Sequence, residues 1–145
     1  MTELSTGLQI AWQIAALEAI KKNSESIDAE HFILGLLSFD KVPEQQSDDQ
    51  NLNSFNIEKS KLYQILATHN IDITQTRRTL RNLLPQGTEK KQLNNIHRSE
   101  ECKDIFIQAQ KCSGNYINSL SYFFAVLNKQ DSLIEQILHK KKRQY

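Results

Sequence analysis

Glycine, proline and cysteine are all scarce in this chain of 145 residues, which has four glycines, two prolines and two cysteines. Sandwiches and barrels of β-strands need many turn residues, so the scarcity of glycine and proline argues against an all-β fold. The glycines are also too far apart to build either of the common glycine-rich phosphate-binding loops. Any nucleotide hydrolysis associated with this protein would therefore have to occur elsewhere.

An excess of one charge and long apolar runs are missing as well. Eighteen Lys and Arg against 17 Asp and Glu leave a net charge of +1, whereas a dedicated nucleic-acid binder is usually strongly basic. The longest aliphatic stretch, from Phe32 to Leu37, is far shorter than the roughly 20 residues that span a bilayer. The N-terminus does not resemble a secretory signal, and Cys102 and Cys112 fit no disulfide framework. We expect a cytoplasmic protein that makes no membrane contact.

The apolar residues of the chain recur at helical spacing. The second predicted helix covers Ala29 to Leu37, where Asp28 is a good N-cap and where Ile27 and Phe32 have the spacing of a hydrophobic staple. The first helix precedes it, because apolar residues at helical spacing run through Leu8, Ala11, Trp12, Ala15, Ala16, Ala19 and Ile20.

A polar stretch from about residue 40 to residue 56 breaks this pattern and predicts a solvated loop. Helical spacing resumes over residues 62–66 and again over residues 73–84, and Pro85 and Gly87 end the fourth helix. These elements make a first unit of four predicted helices, at about residues 5–85.

The second half of the chain repeats the first when the two are compared at a shift of 90 positions. The pair Ile27-Asp28 then falls on Ile117-Asn118, so both the staple and the cap recur. Leu34 falls on Phe124, which predicts a core position for Phe124. The apolar stripe of the first helix falls on Cys102, Ile105, Phe106 and Ala109.

A third helix recurs at a smaller shift of 72 positions, which places Leu62 on Ile134. The difference between the two shifts, 90 − 72 = 18 residues, matches an insertion at the polar loop of about 40–56. The second unit then covers about residues 97–142, and the sequence ends where the counterpart of the fourth helix would begin. We therefore expect two tandem units of about four helices each, with the last helix of the second unit missing.

The segments Ala15-Ala-Leu-Glu-Ala-Ile20 and Ile27-Asp-Ala-Glu-His-Phe-Ile-Leu-Gly-Leu-Leu37 resemble the Clp N-terminal domain, the repeat domain at the front of Clp-type AAA+ unfoldases and chaperones. Members of that family read close to I-G-T-E-H-L-L-L-G-L-L at the second segment. The resemblance extends over about residues 5–142 and is weaker in the second unit, where Leu120-Ser121 replaces Glu-His. It implies a single all-α domain over residues 1–145, built from two pseudo-symmetric repeats.

The same resemblance implies a function in binding, without catalytic residues, cofactor or metal. Such domains bind unfolded or tagged protein substrates and adaptor proteins, and pass the substrate to a Clp ATPase ring in the same polypeptide. Other members are stand-alone accessory subunits of a Clp protease, which bind the ring in trans. We expect a substrate- or adaptor-binding domain in protein quality control, with the accessory subunit as the alternative.

Three residues are candidates for such contacts. By the resemblance, Glu30 would contact the guanidinium of phosphorylated arginine, although the second unit has Leu120 at that position. The interpretation we prefer is structural, because Asp28 and Glu30 complement the helix dipole and His31 can bond the local backbone. Tyr122 and Phe123 point in different directions from one helix, so one of them is a candidate substrate or adaptor contact. Packing between the two units is their alternative role.

Other functions have weaker support in the sequence. A helical nucleic-acid-binding regulator would use Arg77, Arg78 and Arg81 with the basic run at 140–143, but a solvated helix face explains these arginines better. Catalysis by His31 lacks a neighbouring nucleophile. Metal binding by His97, Cys102 and Cys112 is disfavoured, because ten residues on one helix separate the two cysteines by about 15 Å along the axis. Both cysteines are predicted to be small core residues.

Overall fold

The computed structural model describes residues 3–42, 50–88, 96–114 and 116–128. Within these ranges the chain is mostly helical, which confirms the all-α character predicted from its periodicity. The elements are β1 (Glu3–Leu4), α1 (Thr6–Lys21), α2 (Ala29–Leu37), a 3-10 turn (Phe39–Lys41), α3 (Gln50–Thr68), α4 (Ile73–Leu83), α5 (Glu100–Ser113), β2 (Tyr116–Ile117) and α6 (Ser119–Asn128).

Helix α2 has the bounds and the start signals that its sequence predicts. Ile27 and Phe32 are both buried, as a hydrophobic staple requires. The backbone N–H of Asp28 donates to Nδ1 of His31 at 2.9 Å, so the histidine satisfies one of the free amides at the helix start. α2 packs closely on α1, since a Cβ built on Gly35 would lie only 2.5 Å from the backbone oxygen of Ala11.

Short parallel pairings connect the two halves of the chain. Leu4 of β1 pairs with Ile117 of β2, and Ile27 forms an isolated parallel bridge with Arg98. The backbone N–H of Ser5 donates to the carbonyl of Ile117 at 2.8 Å, and that of Ser99 donates to the carbonyl of Ile27 at 3.0 Å. The segment before the first helix of each half is thus bonded to the segment before the second helix of the other half.

An aromatic cluster lies where α1, α2, α5 and α6 meet. The ring of Phe32 lies 5.2 Å, centroid to centroid, from the rings of both Phe106 and Tyr122, and 5.7 Å from that of Trp12. Phe106 and Tyr122 are 4.7 Å apart. Aromatic pairs of this kind contribute about 0.5–1.5 kcal/mol each beyond their area burial. The two halves therefore share one hydrophobic core.

A single carboxylate, that of Glu58, joins α3 to the starts of α1 and α6. It accepts hydrogen bonds from Oγ of Ser5 at 2.7 Å, from the backbone N–H of Gly7 at 3.3 Å and from the backbone N–H of Ser119 at 2.8 Å. The hydroxyl of Ser119 contacts it too. A negative charge is favourable at a helix N-terminus, and here one charge serves two helices.

The polar stretch at 40–56 is only partly the loop that its composition predicts. Helix α3 begins at Gln50, so the expectation of a loop is wrong for residues 50–56, while residues 43–49 lie outside the described ranges. Phe55 is the reason, because its ring is buried against that of Phe39 at 5.0 Å and anchors the first turns of α3 to the core. The third helix predicted around Ile134 also lies outside the described ranges.

Candidate functional site

The structure reverses the predicted roles of the three aromatic residues in α6. Tyr122 is fully buried and Phe123 is 3 % exposed, which disfavours both as contact residues and agrees with their alternative role in packing. Phe124, which the sequence places in the core, is 46 % exposed. The buried residues of α6 follow the spacing of one helix face and are Ser119, Tyr122, Phe123 and Val126.

The exposure of Phe124 follows from what packs on α6. In α2, almost every side chain is buried, because α1 lies on one side and α4 packs against another. Leu34 is consequently a core residue. Among the described residues, no helix covers α6 on the side of Phe124 in the way that α4 covers α2.

Glu30 and His31 lie in the first turn of α2, where His31 has the structural role preferred from the sequence. His31 is buried, and this burial lowers its pKa, which favours the neutral imidazole whose Nδ1 accepts the hydrogen bond from Asp28. Glu30 is half-buried and has an interaction within the protein. Its contact with phosphorylated arginine stays a prediction.

The arginines of α4 do not form the solvated face predicted for them. Nη1 of Arg77 donates to the carbonyl of Leu37 at 2.7 Å and pairs with Asp40 at 2.8 Å, and its side chain is only 7 % exposed. Arg81 binds both carboxylate oxygens of Glu18, at 2.7 and 3.2 Å. Arg78 is exposed. Two of the three arginines therefore hold α4 against the rest of the fold.

The two cysteines have different surroundings. Cys102 is buried with its Sγ 3.5 Å from the hydroxyl of Tyr122, and burial raises its pKa to about 12. Cys112 is exposed, which contradicts its predicted place in the core. In the part of the chain that the structure describes, no group of three or more His, Cys, Asp or Glu residues could hold a metal ion.

A groove lies between α5 and α6 and is here called the α5–α6 groove. Its volume is about 760 Å³, within the range of about 300–1,000 Å³ typical of ligand sites. Apolar side chains and two carboxylates line it, and no described lining residue is Lys, Arg or His. The lining residues are Glu101, Asp104, Ile105, Gln108, Cys112, Asn118, Leu120, Ser121, Phe124, Ala125 and Asn128.

A smaller cavity of about 360 Å³ lies beside α1 and α5. The guanidinium of Arg98 covers its aromatic wall, at 4.5 Å from the ring centroid of Trp12 and 4.9 Å from that of Phe106. Such stacking is a cation–π interaction that stabilises the fold by about 0.5–2 kcal/mol. Because Arg98 already covers these rings, the cavity offers less apolar surface than the α5–α6 groove.

No helix of the described ranges has the length and apolar character needed to cross a membrane. The sequence matches no protein-family model, and no curated protein matches it significantly.

Proposed function

We propose that this chain is a protein-interaction domain of the Clp N-terminal type. In this proposal it binds unfolded or tagged protein substrates, or an adaptor protein, for a Clp ATPase ring in the same polypeptide or in another subunit. Docking is non-covalent and no bond is made or broken by this domain. The observation that carries the proposal is the α5–α6 groove, with its apolar floor and polar rim.

The hydrogen bonds of the two halves support the repeat organisation that the proposal includes. Ser5 and Ser99 each cap a helix and each bond the isoleucine carbonyl of the other half. Asn118 caps α6 by accepting from the backbone N–H of Ser121 at 2.8 Å, at the position corresponding to Asp28. We propose that these are two pseudo-symmetric repeats joined through their helix starts.

The caps also revise the alignment of the first helix in each repeat. Ser5 and Ser99 are 99 − 5 = 94 positions apart, against the shift of 90 expected from the apolar stripes. The four-residue difference is about one helical turn, over which an apolar stripe looks nearly the same. At a shift of 94, Leu8 corresponds to Cys102, and both are fully buried.

The groove has the composition of a protein-binding surface. Ile105 lies at its floor, Leu120 and Ala125 are half-buried, and Phe124 exposes its ring. Large exposed aromatic residues are favoured at the centre of protein interfaces, because they bury much apolar area with little loss of side-chain entropy. We place the docking surface for substrate or adaptor here, in place of Tyr122 and Phe123.

The alternative of a nucleic-acid-binding regulator is weakened, because two of its three helical arginines are paired within the protein. Arg77 and Arg81 are paired with Asp40 and Glu18, so they are not available to neutralise phosphates. The basic run at 140–143 lies outside the described ranges. A stand-alone accessory subunit would use the same docking surface, and sequencing the gene past Tyr145 separates that alternative from the unfoldase domain.

Binding of purified partners tests the proposal. We expect the chain to bind a permanently unfolded, fluorescently labelled protein in an anisotropy titration, or to co-sediment with a Clp ATPase ring. Phe124→Asp should weaken that binding about tenfold or more, since truncating an aromatic anchor commonly costs about 2 kcal/mol. The matched control is Leu83→Asp, because Leu83 on α4 is as exposed as Phe124 and lies outside the groove. If the wild type binds neither partner, the proposed function is wrong.

A further inference from the structure

We propose that the α5–α6 groove binds an amphipathic helix of a partner protein that carries basic residues at one end, with this end over the first turns of α5. This inference rests on the proposed docking function and names the chemistry of the partner. An apolar groove between two helices is the usual receptor for the apolar face of a third helix.

The distribution of charge along the groove gives the partner its polarity. Glu101 and Asp104 are three residues apart on α5, so both lie on the same face of its N-terminal half. The lining residues of the C-terminal half of α5, Gln108 and Cys112, are uncharged. A partner helix with lysines or arginines at one end would therefore be attracted more strongly in one orientation than in the other.

Neighbouring cations do not neutralise Asp104 through any ion pair found on the described residues. Lys103 is paired with Glu100 at 3.5 Å and lines the smaller cavity. Asp104 itself is exposed. Both observations leave the carboxylate of Asp104 at the rim, where a basic side chain of the partner can reach it.

The fold contains a precedent for such a helix. Helix α4 packs on α2 with Thr76 and Leu80 buried, while Arg77 and Arg81, four residues apart, bind acidic groups and a helix-end carbonyl. Helix α4 thus combines a buried leucine with two arginines one turn apart, and it packs on α2 of the first half. We infer that the partner helix has the same combination.

The probe is a synthetic amphipathic peptide of about 16 residues, long enough to form a helix when bound. It carries leucines on one face and three lysines at its N-terminal end, or at its C-terminal end in a second peptide. The control peptides carry glutamates in place of the lysines. Cys112 serves as the reporter because it is exposed inside the groove, whereas Cys102 is buried with a pKa near 12 and reacts slowly.

In the full chain, we expect one of the lysine peptides to slow alkylation of Cys112 and the glutamate peptides to leave its rate unchanged. Asp104→Lys should lower the affinity for the lysine peptide about tenfold or more and raise that for its glutamate counterpart. Glu25→Lys is the control, because Glu25 is exposed and outside the groove lining, and it should retain the preference of the wild type.

Three results would overturn the inference. The first is no protection of Cys112 by any lysine peptide, and the second is an unchanged preference in Asp104→Lys. The third is a groove already occupied by the chain itself, seen as slow alkylation of wild-type Cys112 that becomes fast in Ile134→Asp, in the third helix predicted for the second unit. Since the proposed function is tested separately with the unfolded protein and the ATPase ring, it can hold when this inference fails.

Discussion

Ser5 and Ser99 make the same two hydrogen bonds in opposite halves of the molecule. Each hydroxyl accepts from a backbone N–H three residues on, that of Leu8 or Cys102, at 3.1 Å. Each backbone N–H donates to an isoleucine carbonyl of the other half, at 2.8 Å for Ser5 and 3.0 Å for Ser99. One pair of residues therefore starts a helix in each half and ties that half to the other.

Removing either cap should destabilise the whole domain. We expect Ser99→Ala to lower the free energy of unfolding by about 1 kcal/mol, the usual cost of a lost N-cap. Ser5→Ala should cost more, because its hydroxyl also donates to Glu58. Urea denaturation measures both, with Thr68→Ala as an exposed threonine control on α3. Equal midpoints for Ser5→Ala and Thr68→Ala would contradict this role of Ser5.

The carboxylate of Glu58 should be one of the most sensitive polar groups of the fold. Glu58→Gln keeps the size of the side chain but replaces the charge that two helix starts share. Hydrogen bonds to charged groups contribute about 1.5–3 kcal/mol, so we expect a loss in this range on urea denaturation. Glu100→Gln is the control, since the Glu100 side chain is 90 % exposed. A loss no greater than the control's would show that the carboxylate does not join these helices.

Replacing Gly35 with alanine should destabilise the fold, although alanine has the smallest side chain after glycine. Alanine is favoured over glycine in a helix by about 1 kcal/mol, so propensity alone predicts a more stable Gly35→Ala variant. A Cβ at this position meets the backbone of Ala11, which cannot move without separating α1 from α2. We therefore expect a net destabilisation of about 1–3 kcal/mol, measured by thermal unfolding. A raised melting temperature would contradict the close packing of the two helices.

His31 should make stability depend on pH on the acid side of neutrality. Its pKa in the fold lies below the value of 6.5 for an unperturbed imidazole, so the unfolded chain binds the proton more readily. The stabilisation is present above pH 6.5 and is lost as the pH falls through the lower pKa of the folded state.

A matched pair of variants isolates this histidine. His31→Gln keeps an acceptor for the Asp28 amide, as glutamine does in a capping box, but does not titrate. The free energy of unfolding of His31→Gln should therefore fall less than that of the wild type between about pH 6.5 and pH 5. His69→Gln, at an exposed histidine, should follow the wild type. Parallel curves for His31→Gln and the wild type would refute the assignment.

The sequence predicted best what depends on neighbouring residues. The bounds of α2, its staple of Ile27 and Phe32 and the bond to His31 all follow from short-range spacing. The start of α3 was harder to predict, because Phe55, which anchors its polar first turns, packs on Phe39, a partner distant in sequence. A stacking contact of this kind leaves no periodic signal.

The candidate site was missed for a related reason. The buried face of α6, with Tyr122 and Phe123, could have been found from its helical spacing, which leaves Phe124 off the stripe. Whether Phe124 is covered depends on the helix that packs beside it, and α4, which packs on α2, has no counterpart on α6 among the described elements. The exposure of a side chain depends on tertiary packing. Aligning Phe124 with the core residue Leu34 therefore predicted the wrong environment for Phe124.

Photocrosslinking from Cys112 tests the central claim, protein docking in the α5–α6 groove, most directly. A short photoreactive probe attached to Cys112 should crosslink the labelled unfolded protein or the Clp ATPase ring. The same probe at Leu83→Cys in a Cys112→Ser background should not, although Leu83 is exposed too. Crosslinks from Cys112 alone are the predicted result, and equal crosslinking from both positions, or none from Cys112, would contradict the account.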